Sequence, residues 1–405
     1  MAQFAVFLLA YALSQFYRSF LAVIAPELSH ELHLSGTDLG RILACWFATF
    51  ALAQFWIGAA LDKHGPRRTL PIIMLPGIAG ALVFSRAAGA GDAMLAMGLI
   101  GVGCSAALMG PLYVFARTYA PDRFAMMSAL VLGLGSFGNL LGGTPLALAT
   151  QAFGWRSVFV GLAVITAIAA ALIAMFVRDP PRAQATEHDN GGIISGLKAI
   201  LAIRQLWPVW PIMSLAYGIL ITERGLWVGP YLSQVHGLEP VARGNVILVM
   251  AIAIAAGALA YGPLERWLRR RKVLALWGSV IAGAALLFLA WVAKPPIQVA
   301  ALALAVFGFT AMTYGTLMAH IRNFLPDHLL GRGMTFANFL CMAGAGLLQI
   351  WSGWYVDMLK TASLSDADLF AHLHGALGAA MLVSAAVYAF ARETDTAALA
   401  PANKA

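Results

Sequence analysis

Charge is what this chain of 405 residues has least of. Only 11% of its residues are Asp, Glu, Lys or Arg, while 61% are hydrophobic; an ordinary soluble domain carries about 25% charged residues. That shortage excludes a water-soluble globule, which would have too little polar surface to cover it, and assigns the chain to a bilayer. Cysteine is scarce as well: Cys45, Cys104 and Cys341 sit singly inside apolar runs. An odd, scattered set offers neither a disulfide framework nor a metal-ligand spacing, so the thiols read as small buried hydrophobes. The chain has no HExxH pair, no Walker loop and no nucleophile elbow, which leaves no sign of ATP hydrolysis or hydrolase chemistry. No catalytic residue, metal ligand or cofactor is expected. The N-terminus also lacks a basic n-region and a small-residue cleavage site, and reads as a first span rather than a removable signal peptide.

What is present is a succession of long apolar runs. About 20 largely apolar residues cross a bilayer as a helix, and twelve segments qualify: 4–25, 39–60, 70–88, 93–116, 125–148, 156–178, 207–232, 244–264, 273–293, 297–319, 333–356 and 371–391. The expectation is an all-α membrane protein with twelve transmembrane helices. Between the sixth and seventh lies "RDPPRAQATEHDNGG", polar and rich in Pro and Gly, a linker by composition. The following "IISGLKAILAIRQLW" has the pattern of an amphipathic helix on the membrane surface. These features divide the chain into a six-helix half over 1–178, a cytoplasmic linker over 179–206, a second half over 207–391 and a tail over 392–405. With an even number of spans both termini share one side. Loops on that side hold 18 of the 26 Lys and Arg residues, and the other side holds six: Arg41, Arg86, Arg156, Arg243, Lys294 and Lys360. The positive-inside rule makes the termini cytoplasmic. The net charge of +8 is mostly topology, and a nucleic-acid partner is not expected.

The two halves repeat each other. "ARTYAPD" ends the fourth span and "HIRNFLPD" the tenth, so that Arg117, Pro121 and Asp122 map onto Arg322, Pro326 and Asp327 at an offset of 205. "GAALDKHGPRR" follows the second span and "GPLERWLRRRK" the eighth, Gly58 lying 204 residues before Gly262. Duplicated halves of this kind build a midplane site that opens alternately to each side.

The loop "GAALDKHGPRRTL" resembles the signature loop of the major facilitator superfamily, with Gly58, Asp62, Lys63, Gly65, Arg67 and Arg68 in the matching places. Lys63 stands where Arg is commoner, and the second copy keeps only Glu265 and Arg266 of the acid–base pair. "GWRSVF" at 154–159 is also family-like. The resemblance covers the whole chain and implies two pseudo-symmetric six-helix halves. The loop reads as a conformational latch. Gly58 lets two helices approach closely, and Asp62 suits the positive N-terminal end of a neighbouring helix, a contact worth about 0.3–1 kcal/mol when exposed. The plainer account is that Lys63, Arg67 and Arg68 follow the positive-inside rule.

Two charges remain inside spans on the basic side of the ledger. Arg18 sits in "AYALSQFYRSFLAVIAP", where translocon scales put an arginine at about 2.5–3.5 kcal/mol unfavourable. Adding 206 gives Arg224 in the seventh span, and the same offset takes Tyr11 to Tyr217. At the helical period Tyr11, Ser14, Gln15 and Arg18 share an arc of about 100°. In the superfamily that the loop resembles, the first helices of the two halves line the central cavity, which would bring both arginines to it. Arginine is permanently charged and its planar fork suits carboxylate or phosphate. "QFYRSFLAVIAPEL" further resembles the first helix of the anion:cation symporter group, and the arginine pair resembles the organophosphate:phosphate antiporters. The carboxylate group commonly has an Asp before this arginine; here it is Tyr17, so a proton carrier must lie elsewhere. Glu223 is the one carboxylate inside a span. It fits a proton carrier, and equally a counter-charge or a structural partner.

The expected function is therefore secondary active transport of a small organic anion, carboxylate or phosphate-bearing, by proton-coupled uptake. The alternative is a proton-coupled exporter of drugs or metabolites. Arg18, Arg224, Tyr11, Tyr217, Gln15 and Ser14 would bind substrate, Glu223 would carry the proton, and the 58–68 loop would control access. The expected partners are the anion, a proton or other coupling ion, and the lipid of a bacterial inner membrane, with the chain as a monomer. Weaker signals are the glycine-rich "GLGSFGNLLGGTP", the intramembrane Asn139, Asn338 and Gln349, and Trp46, Gln54, Tyr113 and Tyr314 as cavity liners or core. His320, beside Arg322, is a poor candidate for a midplane site.

Overall fold

A computed structural model of the chain describes residues 2–119, 121–180, 193–326 and 329–393. Regular structure among them is helical throughout. Nine helices are long and apolar enough to cross a membrane, and a bent pair, Ala2–Phe16 with Leu21–Leu32, makes a tenth. The two remaining expected spans, the fifth and seventh, are present as interrupted helices. The fifth breaks at Ser136 between Pro121–Gly135 and Phe137–Leu141. The seventh runs as Val209–Thr222, a π-helical turn Glu223–Trp227, and Val228–Gln234. The surface helix expected in the linker is found at Ile193–Leu201. Asp327 of the repeat and most of the tail lie outside the described residues.

The interruptions have local chemical causes. In the first span the Ser19 hydroxyl donates to the Gln15 and Phe16 carbonyls, at 3.3 and 3.2 Å. That competes with the helical ladder. The backbone tightens to i→i+3 bonds from Arg18 and Ser19, and the axis bends by 48°. In the seventh span Pro230 lacks an N–H and its ring crowds the carbonyl four residues earlier. Just before it the Val228 amide reaches back five residues to the Glu223 carbonyl, the π pattern. Breaks also recur in the fourth and tenth spans, after Cys104 and after Thr310. Arg18 lies in the first break and Arg224 in the π turn.

The second span, Gly36–His64, opens on a capping box of Ser35 and Asp38. It ends at Gly65, whose φ of +76° is left-handed territory that other residues enter at a cost. Pro66 then starts Pro66–Ser85. A second glycine at positive φ, Gly154, divides Thr144–Phe176 into the end of the fifth span and the sixth.

By packing, the chain forms two compact units. One comprises Met1–Glu187, Thr222–Leu248 and Gly346–Ser363. Its core includes a cluster of Phe20, Phe84, Trp155 and Phe159, with ring centroids 4.3–5.8 Å apart. The other comprises His188–Ile221, Val249–Ala345 and Leu364–Ala405. There His320 is buried between the Tyr388 hydroxyl, 2.6 Å from Nδ1, and the Arg392 carbonyl, which accepts from Nε2 at 2.9 Å. A carbonyl can only accept, so Nε2 carries the proton, and the ring is a structural clasp at the end of the twelfth span.

Candidate functional site

The first unit holds most of the expected site. Tyr11 and Ser14 are buried on the first helix, and Gln15 donates to the Tyr11 hydroxyl at 3.1 Å. One turn on, the Arg18 guanidinium lies over two aromatic rings of the second span. Its central carbon is 4.9 Å from the centroids of both Trp46 and Phe50. Those rings stack on each other at 4.8 Å and 17°. A cation over an aromatic face gains about 0.5–2 kcal/mol, more as water is removed. Among the described residues no carboxylate pairs with Arg18, and its buried Nε has no hydrogen-bond acceptor. The rings hold the charge without cancelling it.

Arg224 and Glu223 are almost wholly buried in the π turn. An Nη2 proton of Arg224 is accepted by the Asn139 side-chain oxygen in the interrupted fifth span. The same glycine-rich segment carries the first helix. A β-carbon at Gly135 would overlap the Tyr11 ring, one at Gly138 would overlap the Ala12 carbonyl, and one at Gly142 would lie 2.6 Å from Ser19 Oγ. The helix bearing Arg18 and the arginine from residue 224 therefore meet one segment, 135–142. Sequence reasoning noted these glycines and Asn139 without assigning them; their spacing at three and four residues was the available signal. It also left the Trp46–Phe50 platform unassigned, though an i, i+4 aromatic pair is legible as one face of a helix.

Tyr217 falls in the other compact unit. Its ring is tilted against Tyr314 at 5.7 Å, and the Tyr314 hydroxyl donates to Asn338 Oδ1 at 2.9 Å.

At the signature loop, Asp62 is held by Arg117 at 2.9 Å, and Arg117 stacks on Tyr113 at 4.2 Å. The Arg67 amide donates to Asp179 at 2.9 Å and its Nε to the Ala174 carbonyl at 2.8 Å. Gly65 is packed so tightly that a β-carbon would come within 2.5 Å of the Asp179 carboxylate. Lys63 and Arg68 are exposed. The close helix approach expected at Gly58 is not made in this conformation: a β-carbon there would meet no atom within 4 Å.

A set of contacts joins distant segments around the loop at residues 33–35. The Asp357 carboxylate accepts from the amides of Gly36 and Thr37 at 2.8 and 2.7 Å, capping the second span a second time. Arg243, 2% exposed, donates to the Val23 carbonyl at 2.7 Å and to Glu27. Glu31 accepts from Trp155 Nε1 at 2.6 Å and from Arg156. Beside them lies a cleft of about 590 Å³ whose lining includes Pro26, Glu27, His30, Glu239 and Arg243.

Comparison with known proteins follows from this geometry. The sequence profile of the Major Facilitator Superfamily matches residues 7–349. A hexuronate transporter of Bacillus subtilis (strain 168) is 27% identical over 396 residues, which is 93% of this chain and 90% of that one. The fosmidomycin resistance protein of Escherichia coli (strain K12) is 24% identical over 84% of this chain and 82% of its own. Among solved structures, the nucleoside transporter NupG superposes with a TM-score of 0.81 at 12% identity, covering 96% of this chain and 99% of its own.

Proposed function

The chain belongs to the major facilitator superfamily, and from that premise we propose that it is a secondary active transporter taking up a small carboxylate- or phosphate-bearing organic anion with protons. As a member it is an integral membrane transporter and not an enzyme. The observation that carries the anion reading is the state of Arg18. An arginine kept inside a span only for packing is expected to sit on a carboxylate, because an uncompensated charge there is costly. Arg18 instead rests on neutral rings, and none of the described ion pairs includes it. Such a charge is free to meet an anion that arrives and leaves. The interrupted helices on which Arg18 and Arg224 sit agree with this reading, since transporters place their sites at broken helices. The likeness to a hexuronate transporter, named for a sugar acid, supports the same substrate class.

In this account Arg18 and Arg224 bind the anion, Tyr11, Ser14, Gln15 and Tyr217 orient it, and Glu223 carries the proton. The loop containing Gly58, Asp62, Lys63, Gly65, Arg67 and Arg68 governs access. The two six-helix halves, 1–178 and 207–391, rock as a monomer in a bacterial inner membrane with both termini cytoplasmic. A second reading, proton-coupled export, draws on the likeness to the fosmidomycin resistance protein.

Purified protein in vesicles distinguishes the two. A panel of glucuronate, gluconate, succinate and glycerol 3-phosphate is offered under an inward proton gradient. At least one labelled anion accumulates, and Arg18→Gln lowers its uptake more than tenfold at equal protein content. Equal uptake by Arg18→Gln and wild type would falsify the anion site. Gradient-driven movement of neutral or cationic drugs alone would favour export.

A further inference from the structure

Three hydrogen-bond donors of the first unit are buried without an acceptor among the described residues: the Ser14 hydroxyl, the Arg18 Nε–H and the Trp46 indole N–H. Ser14 is 1% exposed and Trp46 is fully buried. Ser14 precedes Arg18 by one helical turn, and the Arg18 guanidinium lies over the Trp46 ring. Ser14 and Trp46 both lie beside the Cys104 thiol, which is within reach of the Arg18 charge. We infer that Ser14, Arg18 and Trp46 form a three-donor subsite for an anionic oxygen of the substrate, with the Cys104 sulfur as a wall that leaves the donors unclaimed. The inference deepens the reading of Arg18 as part of the anion site and rests on it.

A buried donor without an acceptor forfeits the hydrogen bonds it made to water, so each one in a folded protein calls for an explanation. One such donor is an isolated cost of packing. Three around a single thiol, one of them on a permanent cation, are an arrangement. The sulfur accounts for their staying unpaired. A thiol is a weak acceptor, and neither the hydroxyl nor the indole reaches hydrogen-bond geometry with it. An oxygen at position 104 would accept these protons and withhold them from an incoming ligand. A carboxylate or phosphate oxygen accepts and brings negative charge, which makes each N–H or O–H bond to it roughly twice as strong as a neutral one. Burial in a low dielectric strengthens those bonds further.

The fold supplies the convergence. Ser14 is in the last turn of Ala2–Phe16 and Arg18 in the break that follows. Cys104 is the last residue of Ala90–Cys104, where the fourth span is interrupted. Trp46 comes from the continuous second span, Gly36–His64. A β-carbon at Gly101, three residues before Cys104, would overlap the Trp46 carbonyl, so the fourth span is pressed against the second at this level. Two broken helices and one straight one thus meet at the three donors, and broken helices are where transporters build their sites.

The test is uptake kinetics in vesicles for Ser14→Ala, Trp46→Phe, Cys104→Ala and Cys104→Ser, with whichever anion of the panel above the wild-type protein accumulates and with Arg18→Gln alongside. Unfolding temperatures in detergent are read with and without that anion. Trp46→Phe keeps an aromatic face under the guanidinium and removes the N–H. It raises KM about tenfold, as does Ser14→Ala, the loss expected for one hydrogen bond to a charged group. Both variants lose most of the anion-induced rise in unfolding temperature, whereas a structural role would lower the unfolding temperature and leave that rise intact. Ser14→Ala deletes an unpaired donor and unfolds no lower than wild type in the absence of anion. Cys104→Ser is closer to the native shape than Cys104→Ala, yet its hydroxyl oxygen accepts the protons, and its KM is about tenfold higher than that of Cys104→Ala. If either Trp46→Phe or Ser14→Ala keeps the wild-type KM while Arg18→Gln loses uptake, the anion site stands and the three-donor subsite is overturned. A KM for Cys104→Ser no higher than that for Cys104→Ala overturns it as well. Uptake unaffected by Arg18→Gln, or a wild-type protein that accumulates no anion at all, refutes the anion site itself, and this inference with it.

Discussion

Arg243 shows how far a single side chain can depart from its place in a charge count. By position it belongs to a short loop on the less basic side, one of the six arginines and lysines there. In the structure it is buried, with one nitrogen shared between the Val23 carbonyl and Glu27. Hydrogen bonds to a charged group contribute about 1.5–3 kcal/mol each in net terms. Glu27 is the more exposed partner and adds the smaller share. Arg243→Ala is therefore expected to lower stability by about 2 kcal/mol, read as a fall of several degrees in the unfolding temperature in detergent. An unchanged unfolding temperature would show that the contact carries no load. The Arg18 case is complementary. Its oddity was visible in the sequence as a charge in an apolar run, and its repeat partner Arg224 was found by offset alone. The neutral rings beneath it belong to a helix about 30 residues away, and no spacing rule links those two positions.

Among the elements, the first and seventh spans carry the argument. Each contains a proline on the C-terminal side of its arginine, Pro26 and Pro230, and each is irregular close to that arginine. Because Pro26 has no N–H, the Ala22 carbonyl loses its helical donor. The backbone at Gly229 lies directly on that carbonyl, so that a β-carbon there would overlap it. Gly229→Ala should hold the two helices apart, reducing uptake at least tenfold and lowering the unfolding temperature. Wild-type uptake by this variant would mean that the contact is not made during transport. The hydropathy pattern located the apolar segments, but it could not anticipate that five of them, the first, fourth, fifth, seventh and tenth, would be interrupted. Hydropathy sums transfer energies over a window and is blind to a serine that competes for carbonyls or a proline that withholds an amide.

For the whole molecule, the question is what opens and closes. The sequence pointed to the 58–68 loop, with Asp62 expected on the N-terminal end of a helix. Here Asp62 pairs with Arg117, and the carboxylates that cap helix N-termini across long sequence separations include Asp179, on Arg67, and Asp357, on Gly36 and Thr37. On the alternating-access reading proposed above, the Asp357 contact is expected to open once in each cycle. In the double variant Thr37→Cys with Asp357→Cys, oxidation is expected to stop uptake and a reductant to restore it. Of the native thiols, Cys104 and Cys341 are buried, and the half-buried Cys45 is replaced by Ala in the background. Uptake that continues in the fully oxidised protein would exclude opening at this point.

The sequence by itself determined the class of molecule: a membrane-embedded member of the superfamily, with motifs that recur about 205 residues apart and an arginine at the matching position of each copy. Those properties are sums along the chain, of hydropathy, of loop charge, of matching residues at a fixed offset, and sums survive without knowledge of contacts. Tertiary structure decided the rest. It set Arg18 on Trp46 and Phe50, gave Arg224 to Asn139, sent Tyr217 into a different compact unit from both, and closed Asp357 onto the second span. Each of these depends on which surfaces pack after the helices form. A guanidinium takes the partner that burial leaves within reach.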